Sequence, residues 1–498
     1  MPSRFQDRDP RAGEGRGRGI HEKRGRHGVT AASSVPPLPV VDFPPTSSST
    51  LSWGDTVDTS EGGTLLPHVV AWNLTRRCNL ECSHCYISAG AWHGTEGELS
   101  TEECFRILDD LLAVNPSMLL ILSGGEPLLR DDLESIAERA ASAGATVVVG
   151  TNGTLLNEQR IESLKAAGVR GVAVSVDSLN PTYHDRFRHG TGALEATLAA
   201  VDRLVQHELD FIIQTSLTKG NRNELSDLVA WAAEKGAVSF NLYFLVPTGR
   251  GEGMQGLTPG ENEEVLAELL SLEQEYRGRL MIRSKCQPQL MRHVLEAGVE
   301  SGLLNYETRC PCGVHYCRIT PEGKVTPCPY LPAVAGDLMR ESFLDVWTSS
   351  PVFGALREGE LGGKCGRCEY REVCGGCRAR AYAQSGDPLA SDESCVYDPP
   401  GDRPVVERRR PMAYGQSAKT ALEWTPEARQ RLERIPSFVR GVVTSRVEEF
   451  ARKRGYPAVD LEVMAEVRRS MPVDFSKKLP FFLRSADGKA SQSEAPDV

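Results

Sequence analysis

The chain has 498 residues, 40% hydrophobic and 25% charged, with 57 Lys and Arg against 67 Asp and Glu and a net charge of −10. An acidic balance argues against nucleic acid as the main partner. No apolar run is long enough to cross a bilayer, the N-terminal stretch lacks the apolar core of a secretory signal, and a cytoplasmic protein of two to four domains is expected.

Residues 1–60 carry Arg and Gly, then Pro, Ser and Thr, without apolar periodicity; a disordered, solvated tail is expected there. From 61 to 250, short β-type runs alternate with helical stretches. Strands are predicted at 68–74, 118–122, 145–150, 171–176, 210–217 and 238–245. Amphipathic helices are predicted between them, among them Thr101–Val114 and Asp131–Ala143. Six βα units in succession imply a parallel sheet, either open and doubly wound or a partial (β/α) barrel. Residues 251–300 read as a helical linker. Residues 301–400 carry most of the remaining cysteines among Gly, Pro and short strands, as expected where metal ligation replaces a large apolar core. A linker at 401–419, marked by Pro404 and the basic run to Arg410, precedes a small helical unit at 420–475. Thr425 and Pro426 fit its first N-cap and first turn. A disordered tail is expected at 476–498.

The 14 cysteines are clustered, which in a chain of this size reads as metal or cluster ligation in a reducing compartment rather than disulfides. The strongest signal is Cys78-Asn-Leu-Glu-Cys82-Ser-His-Cys85. Three thiolates on one loop serve three irons of a cubane and leave the fourth open, whereas four-cysteine spacings saturate an electron-transfer cluster. A zinc knuckle using His84 is the alternative, but His84 lies too close between Cys82 and Cys85 for usual zinc spacing. The triad follows the first predicted strand. Ser123-Gly124-Gly125-Glu126-Pro127 follows the second, Thr151-Asn152-Gly153-Thr154 the third, and Ser175-Val176-Asp177-Ser178 ends the fourth. Polar clusters at successive strand ends are expected to face one site, with glycines allowing close backbone approach and Glu126 available to an ammonium group.

The three cysteines with Gly124-Gly125-Glu126-Pro127 resemble the radical S-adenosylmethionine (SAM) superfamily. The resemblance implies a partial (β/α)6 barrel and a [4Fe–4S] cluster with an open iron on Cys78, Cys82 and Cys85. It also implies reductive SAM cleavage to a 5′-deoxyadenosyl radical. Gly124, Gly125 and Glu126 would bind the methionine end of SAM; Thr151, Asn152, Ser175 and Asp177 would line its pocket. Further on, Cys310, Cys312 and Cys317 precede Gly323 and Cys328, followed by Cys365-x2-Cys368-x5-Cys374-x2-Cys377 and Cys395. This resembles the SPASM extension. By that resemblance Cys310, Cys317, Cys328 and Cys377 would hold one auxiliary [4Fe–4S] cluster and Cys365, Cys368, Cys374 and Cys395 another. The last gap is x2 rather than the usual x3 and Cys312 is spare, so one auxiliary cluster also fits, and a zinc ribbon is the competing reading. Cys104 and Cys286 stand alone and read as buried thiols.

Longer stretches, among them residues 70–86, 119–130, 175–189, 316–331 and 374–387, resemble the heme-maturing branch of the superfamily, which includes iron-coproporphyrin III decarboxylases. Residues 424–452 are similar to the helical domain ending a light-independent protochlorophyllide reductase subunit. The branch implies an iron-porphyrin substrate, oxidative decarboxylation of propionates to vinyl groups, and a low-potential donor such as ferredoxin or flavodoxin. Removal of acetate side chains from a siroheme-derived ring and peptide maturation are the alternatives. Arg186, Arg188, Arg250, Arg318, Arg378 and Arg380 are candidates for propionate contacts, and Tyr183, His184 and His315 for contacts to iron or ring, with a structural role the default for each.

Overall fold

Val-, Ile- and Leu-rich runs flanked by Gly and polar turns form the strands where alternation places them. The computed structural model describes residues 65–299, 301, 309–407 and 420–470. The expected tails at 1–60 and 476–498, and residues 408–419 of the expected linker, lie outside the described residues. The six predicted strands are β1 (Val69–Asn73), β2 (Leu119–Ser123), β3 (Thr146–Thr151), β4 (Gly171–Ser175), β5 (Asp210–Leu217) and β6 (Ser239–Phe244). Helices α1 (Thr101–Val114), α2 (Leu133–Ser142), α3 (Glu158–Ala166), α4 (Pro181–Arg188), α5 (Ala193–Gln206) and α6 (Leu225–Glu234) connect them. The bounds of α1 are set locally. Ser100 Oγ accepts from Glu103 N at 3.2 Å, and the Glu103 carboxylate accepts from Ser100 N at 2.8 Å, a capping box that satisfies two otherwise orphaned donors.

The segment expected to be a helical linker holds α7 (Pro259–Glu275) and α8 (Leu290–Ala297), but also a strand, β7 (Met281–Lys285), paired in parallel with β6. Its alternation, with Arg283 and Lys285 on one side and Ile282 and Ser284 on the other, is too polar to read as a buried strand. On the opposite flank, β8 (Tyr316–Ile319) pairs in parallel with β1. β9 (Lys324–Thr326) and β10 (Gly336–Asp337) continue antiparallel beyond it. The sheet order is β10-β9-β8-β1-β2-β3-β4-β5-β6-β7.

The two faces differ. Val70, Trp72, Leu120, Leu122, Val147, Val149, Val172, Val174, Ile213, Phe240 and Leu242 join the inward sides of the helices in the main core. The other face curves on itself: Val69, Val148 and Ala173 cluster with Leu119, Ile121, Ile212, Met281 and Tyr316. Residues from seven strands thus line one face of the sheet, the face turned inward in the expected partial barrel.

After β10 come α9 (Phe343–Ser349), α10 (Pro351–Glu358), α11 (Gly363–Arg367) and α12 (Arg378–Ser385). The C-terminal unit packs α13 (Pro426–Glu433), α14 (Ser437–Arg454) and α15 (Leu461–Ser470) around Trp424, Val447, Ala451 and Val463. Two short strands, β11 (Glu423–Trp424) and β12 (Ala458–Val459), pair beside them. Thr425 Oγ1 accepts from Ala428 N at 3.2 Å and Pro426 opens α13, as the sequence predicts. This unit reaches the barrel floor: Val439 is buried in the same cluster as Val69 and Val148, and Ser437 donates to Ser117 O at 2.8 Å. Among the described residues no helix is long and apolar enough to cross a membrane.

Candidate active site

The loop after β1 carries the cysteine triad, and its three thiols are gathered: Cys78 is buried with Leu80, Ile87 and Ala89, and Cys82, Cys85 and Tyr86 pack against them. Two sulfurs already face N–H donors, Cys78 Sγ with Leu80 N at 3.4 Å and Cys85 Sγ with Ala89 N at 3.3 Å. Such donors favour thiolates bound to a cluster. Burial, more than any neighbouring charge, pushes the Cys78 thiol up to about 12, so a metal must displace its proton. The His84 ring stacks on Phe187 at 4.6 Å and 4°, and burial lowers its pKa to about 4, which keeps the imidazole neutral.

The glycine turn after β2 is built around the same loop. A Cβ on Gly125 would lie 2.2 Å from Arg77 O, so only glycine fits. Gly125 N donates to Thr75 O at 2.7 Å and Glu126 N to Arg77 O at 2.8 Å. These donors are thus spent on the chain. The Glu126 carboxylate, expected to receive a ligand ammonium, faces donors of the chain itself. It is fully buried and accepts from Thr151 Oγ1 at 2.8 Å, Asn152 N at 2.9 Å and Leu128 N at 3.1 Å. Burial nonetheless lifts it to about 7. Asn152 in turn donates to Asn79 Oδ1 at 2.9 Å and reaches Cys78 Sγ at 3.9 Å.

Of the remaining residues expected in the pocket, Ser175 ends β4 on the inner face, and its hydroxyl has no hydrogen-bond partner among the described residues. Asp177 cannot face a ligand. It is fully buried, its Oδ2 accepts from Arg188 at 2.7 Å and its Oδ1 from Ser216 N at 2.8 Å. Burial alone would raise its carboxyl; Arg188, His84, His184 and the Ser216 N–H together hold it below the ordinary range. Arg250, which sequence reasoning left among six candidates, donates to Cys82 O at 2.9 Å and Ala89 O at 2.6 Å, locking the loop from the segment after β6.

Downstream, the structure sorts the cysteines differently from the expected sets. Cys312, Cys328 and Cys377 are buried together, with Cys286 and Cys310 against them. Cys310 and Cys312 sulfurs are 3.3 Å apart, a contact that lowers the Cys310 thiol and raises that of Cys312. Cys286, expected to be a lone buried thiol, directly follows β7 at φ 61° and hydrogen-bonds Cys377, which is thereby lowered. Cys317, expected in this set, is absent from it. On β8 it alternates with Tyr316 and Arg318, so it faces the main core beside Ile319. Cys104 is a core thiol, as expected. Cys365, Cys368, Cys374 and Cys395 line one cleft with Gly375 and Gly376. Gly376 has φ 67°, and a Cβ there would lie 3.1 Å from Cys365 Sγ. Among the described residues no three ligand side chains converge on one point as a single metal ion requires; cubane thiolates bind separate irons and need no such point.

The radical SAM superfamily model matches residues 72–232, the iron–sulfur cluster-binding (SPASM) model residues 310–378, and the proto-chlorophyllide reductase 57 kD subunit model residues 424–468. An AdoMet-dependent heme synthase of Methanosarcina barkeri is 39% identical, over 67% of this chain and 97% of that protein. The chain belongs to the radical SAM superfamily. The SPASM domain makes it a protein of [4Fe–4S] clusters and SAM. A pre-heme d1 synthase of Dinoroseobacter shibae is 31% identical over 66% of this chain and 85% of its own length. SuiB of Streptococcus suis with S-adenosylmethionine superposes with TM-score 0.57 at 15% identity, covering 68% of this chain and 80% of SuiB, a likeness of fold.

Proposed function

We propose that this protein is a heme-maturation enzyme that oxidatively decarboxylates propionate side chains of an iron-coproporphyrin to vinyl groups. The observation that carries this is the 39% identity spanning 97% of a heme synthase. Cys78, Cys82 and Cys85 hold the catalytic cluster on a loop clamped by Asn152 and Arg250. Gly124 and Gly125, in a turn whose Gly125 and Glu126 N–H groups bond the segment after β1, present carbonyls to the SAM ammonium, and Ser175 offers its hydroxyl from the inner face. Glu126, Thr151, Asn152 and Asp177 position the walls rather than touch the ligand. Four of Cys286, Cys310, Cys312, Cys328 and Cys377 hold one auxiliary cluster; Cys365, Cys368, Cys374 and Cys395 hold the other.

When bound, cluster and SAM supply a 5′-deoxyadenosyl radical that removes one hydrogen from the propionate carbon not bearing the carboxylate, and loss of carbon dioxide and one electron leaves the vinyl group. The auxiliary cysteines stand beside Tyr316 and Tyr330, where a cluster can accept the departing electron. A low-potential donor such as ferredoxin or flavodoxin supplies the electron for SAM cleavage, in the cytoplasm.

The test is turnover without oxygen. Reconstituted protein with SAM, a strong reductant and iron-coproporphyrin III should form 5′-deoxyadenosine and lose one carbon dioxide and two hydrogens per propionate, read by mass spectrometry. Deoxyadenosine without porphyrin change would remove this substrate and direct the search to siroheme derivatives and then peptides.

A further inference from the structure

Carboxylate-bearing substrates need cations, and the structure sorts the six candidate arginines. Arg186 is exposed. Arg188 is paired with Asp177 and Arg380 with Asp392. Arg250 is spent on the carbonyls of Cys82 and Ala89, and Arg378 on those of Pro388 and Ala390, both at 2.8 Å. Arg318 differs. It is 3% exposed, yet among the described residues no carboxylate pairs with it. Glu322, whose charge Arg318 feels, is taken by Arg76 at 2.7 Å.

Arg318 projects from β8 on the inner face, opposite the main-core residues Cys317 and Ile319. Its Nε donates to Asn73 Oδ1 at 2.6 Å, and Nη1 reaches Pro329 O at only 3.5 Å. Asn73 is itself held by donating Nδ2 to Tyr86 OH at 2.9 Å. The guanidinium lies 5.5 Å from the Tyr86 ring centroid, and Tyr330 meets Tyr86 edge-on at 5.4 Å. Tyr86 directly follows Cys85. A fixed guanidinium, its Nη2 donating to none of the described residues and its Nη1 making only the long Pro329 contact, therefore lies under the cluster loop, beside two aromatic rings. A buried charge without a counter-charge is costly, and burial does depress this guanidinium. A ligand carboxylate is the natural completion, since two parallel N–H groups match it bidentately.

We propose that Arg318, oriented by Asn73, receives a carboxylate of the substrate inside the barrel, with the substrate ring against Tyr86 and Tyr330. This rests on the porphyrin reading above. SAM also carries a carboxylate, and the two sources are separable. Iron-coproporphyrin III is titrated by its visible absorption into anaerobic, reconstituted wild type, Arg318→Gln and Arg318→Lys. The tetraamide of the same porphyrin, which keeps the ring and removes every charge, is titrated in parallel. Arg318→Gln should weaken binding of the acid by about ten- to a hundredfold, with Arg318→Lys between. The tetraamide should bind wild type and Arg318→Gln alike. The SAM concentration that half-saturates porphyrin-free deoxyadenosine formation should stay unchanged, which also shows the variants to be folded. Equal affinity of wild type and Arg318→Gln for the acid, with wild type binding it, would overturn the assignment alone. A rise confined to the SAM requirement would overturn it in favour of the SAM carboxylate. No binding by wild type would remove the substrate reading and the assignment with it.

Discussion

The side-chain amide of Asn152 sits 3.9 Å from Cys78 Sγ while donating to Asn79 Oδ1 at 2.9 Å. The end of β3 and the cysteine loop after β1 are thus one hydrogen-bonded unit. Glu126 accepts from the Asn152 backbone, so the glycine turn after β2 belongs to the same unit. Three consecutive strand ends fix the first cysteine.

Asn152→Ala should therefore loosen the catalytic cluster without touching the auxiliary ones. Losing such a supporting contact commonly costs about ten- to a hundredfold in metal affinity or activity. Anaerobic wild type and variant would be compared for iron content, and for deoxyadenosine formed from SAM and reductant alone. A lower rate and earlier loss of the catalytic cluster under chelator are expected. An unchanged rate and retention would show that the amide bears no load.

Glu126 makes stability depend on pH in an unusual direction. Burial lifts its carboxyl from the ordinary 4.5 to about 7, so between those values the folded chain keeps a proton that the unfolded chain releases. Its contribution is fullest below pH 4.5 and is lost as pH rises through 7, about 3 kcal/mol in all. Glu126→Gln, which cannot ionise, should gain on wild type in thermal midpoint between pH 5 and pH 7.5. The reverse trend would mean that the three donors on the carboxylate outweigh its burial.

The six central strands were legible because Val147–Val149 and similar runs are apolar on both faces, and four of the site clusters because chain order puts them at successive strand ends. What escaped depended on distance in the chain or on parity. β7 escaped because Arg283 and Lys285 face the barrel interior, where an apolar residue is the usual sign of a strand. Cys286 has no cysteine near it in sequence, and only the folding of β7 against β6 brings it to Cys377. The resemblance to the SPASM extension implies Cys317 as a cluster ligand, although Tyr316-Cys317-Arg318-Ile319 is a strand whose alternation turns the thiol to the core beside Ile319. Asp177 was placed correctly at the end of β4, but nothing local announces that Arg188, eleven residues on, takes its charge.

The regrouped cysteines can be counted. Cys317→Ala should keep the full iron content, since its thiol faces the hydrophobic core. Cys286→Ala removes the partner of Cys377 and should lower iron by about one cluster's worth, or leave that cluster with an altered electron paramagnetic resonance spectrum. Loss of iron in Cys317→Ala with none in Cys286→Ala would restore the grouping read from spacing.

The C-terminal unit closes the floor of the barrel. Val439 of α14 is buried against Val69, Val148 and Ala173, and Arg440 donates to Ser117 Oγ at 3.2 Å while Asn115 donates to Ser437 Oγ at 3.2 Å. Removing two methyl groups there, in Val439→Ala, should cost about 2 kcal/mol. Val439→Asp places an unpaired charge among apolar side chains and should detach α14. Hydrogen exchange separates a floor from an independent appendage. If the unit is the floor, amides of Leu119, Val148 and Ala173 exchange faster in Val439→Asp, and deoxyadenosine formation falls as water enters from below. Faster exchange confined to residues 420–470 would show that the barrel holds its shape without the unit.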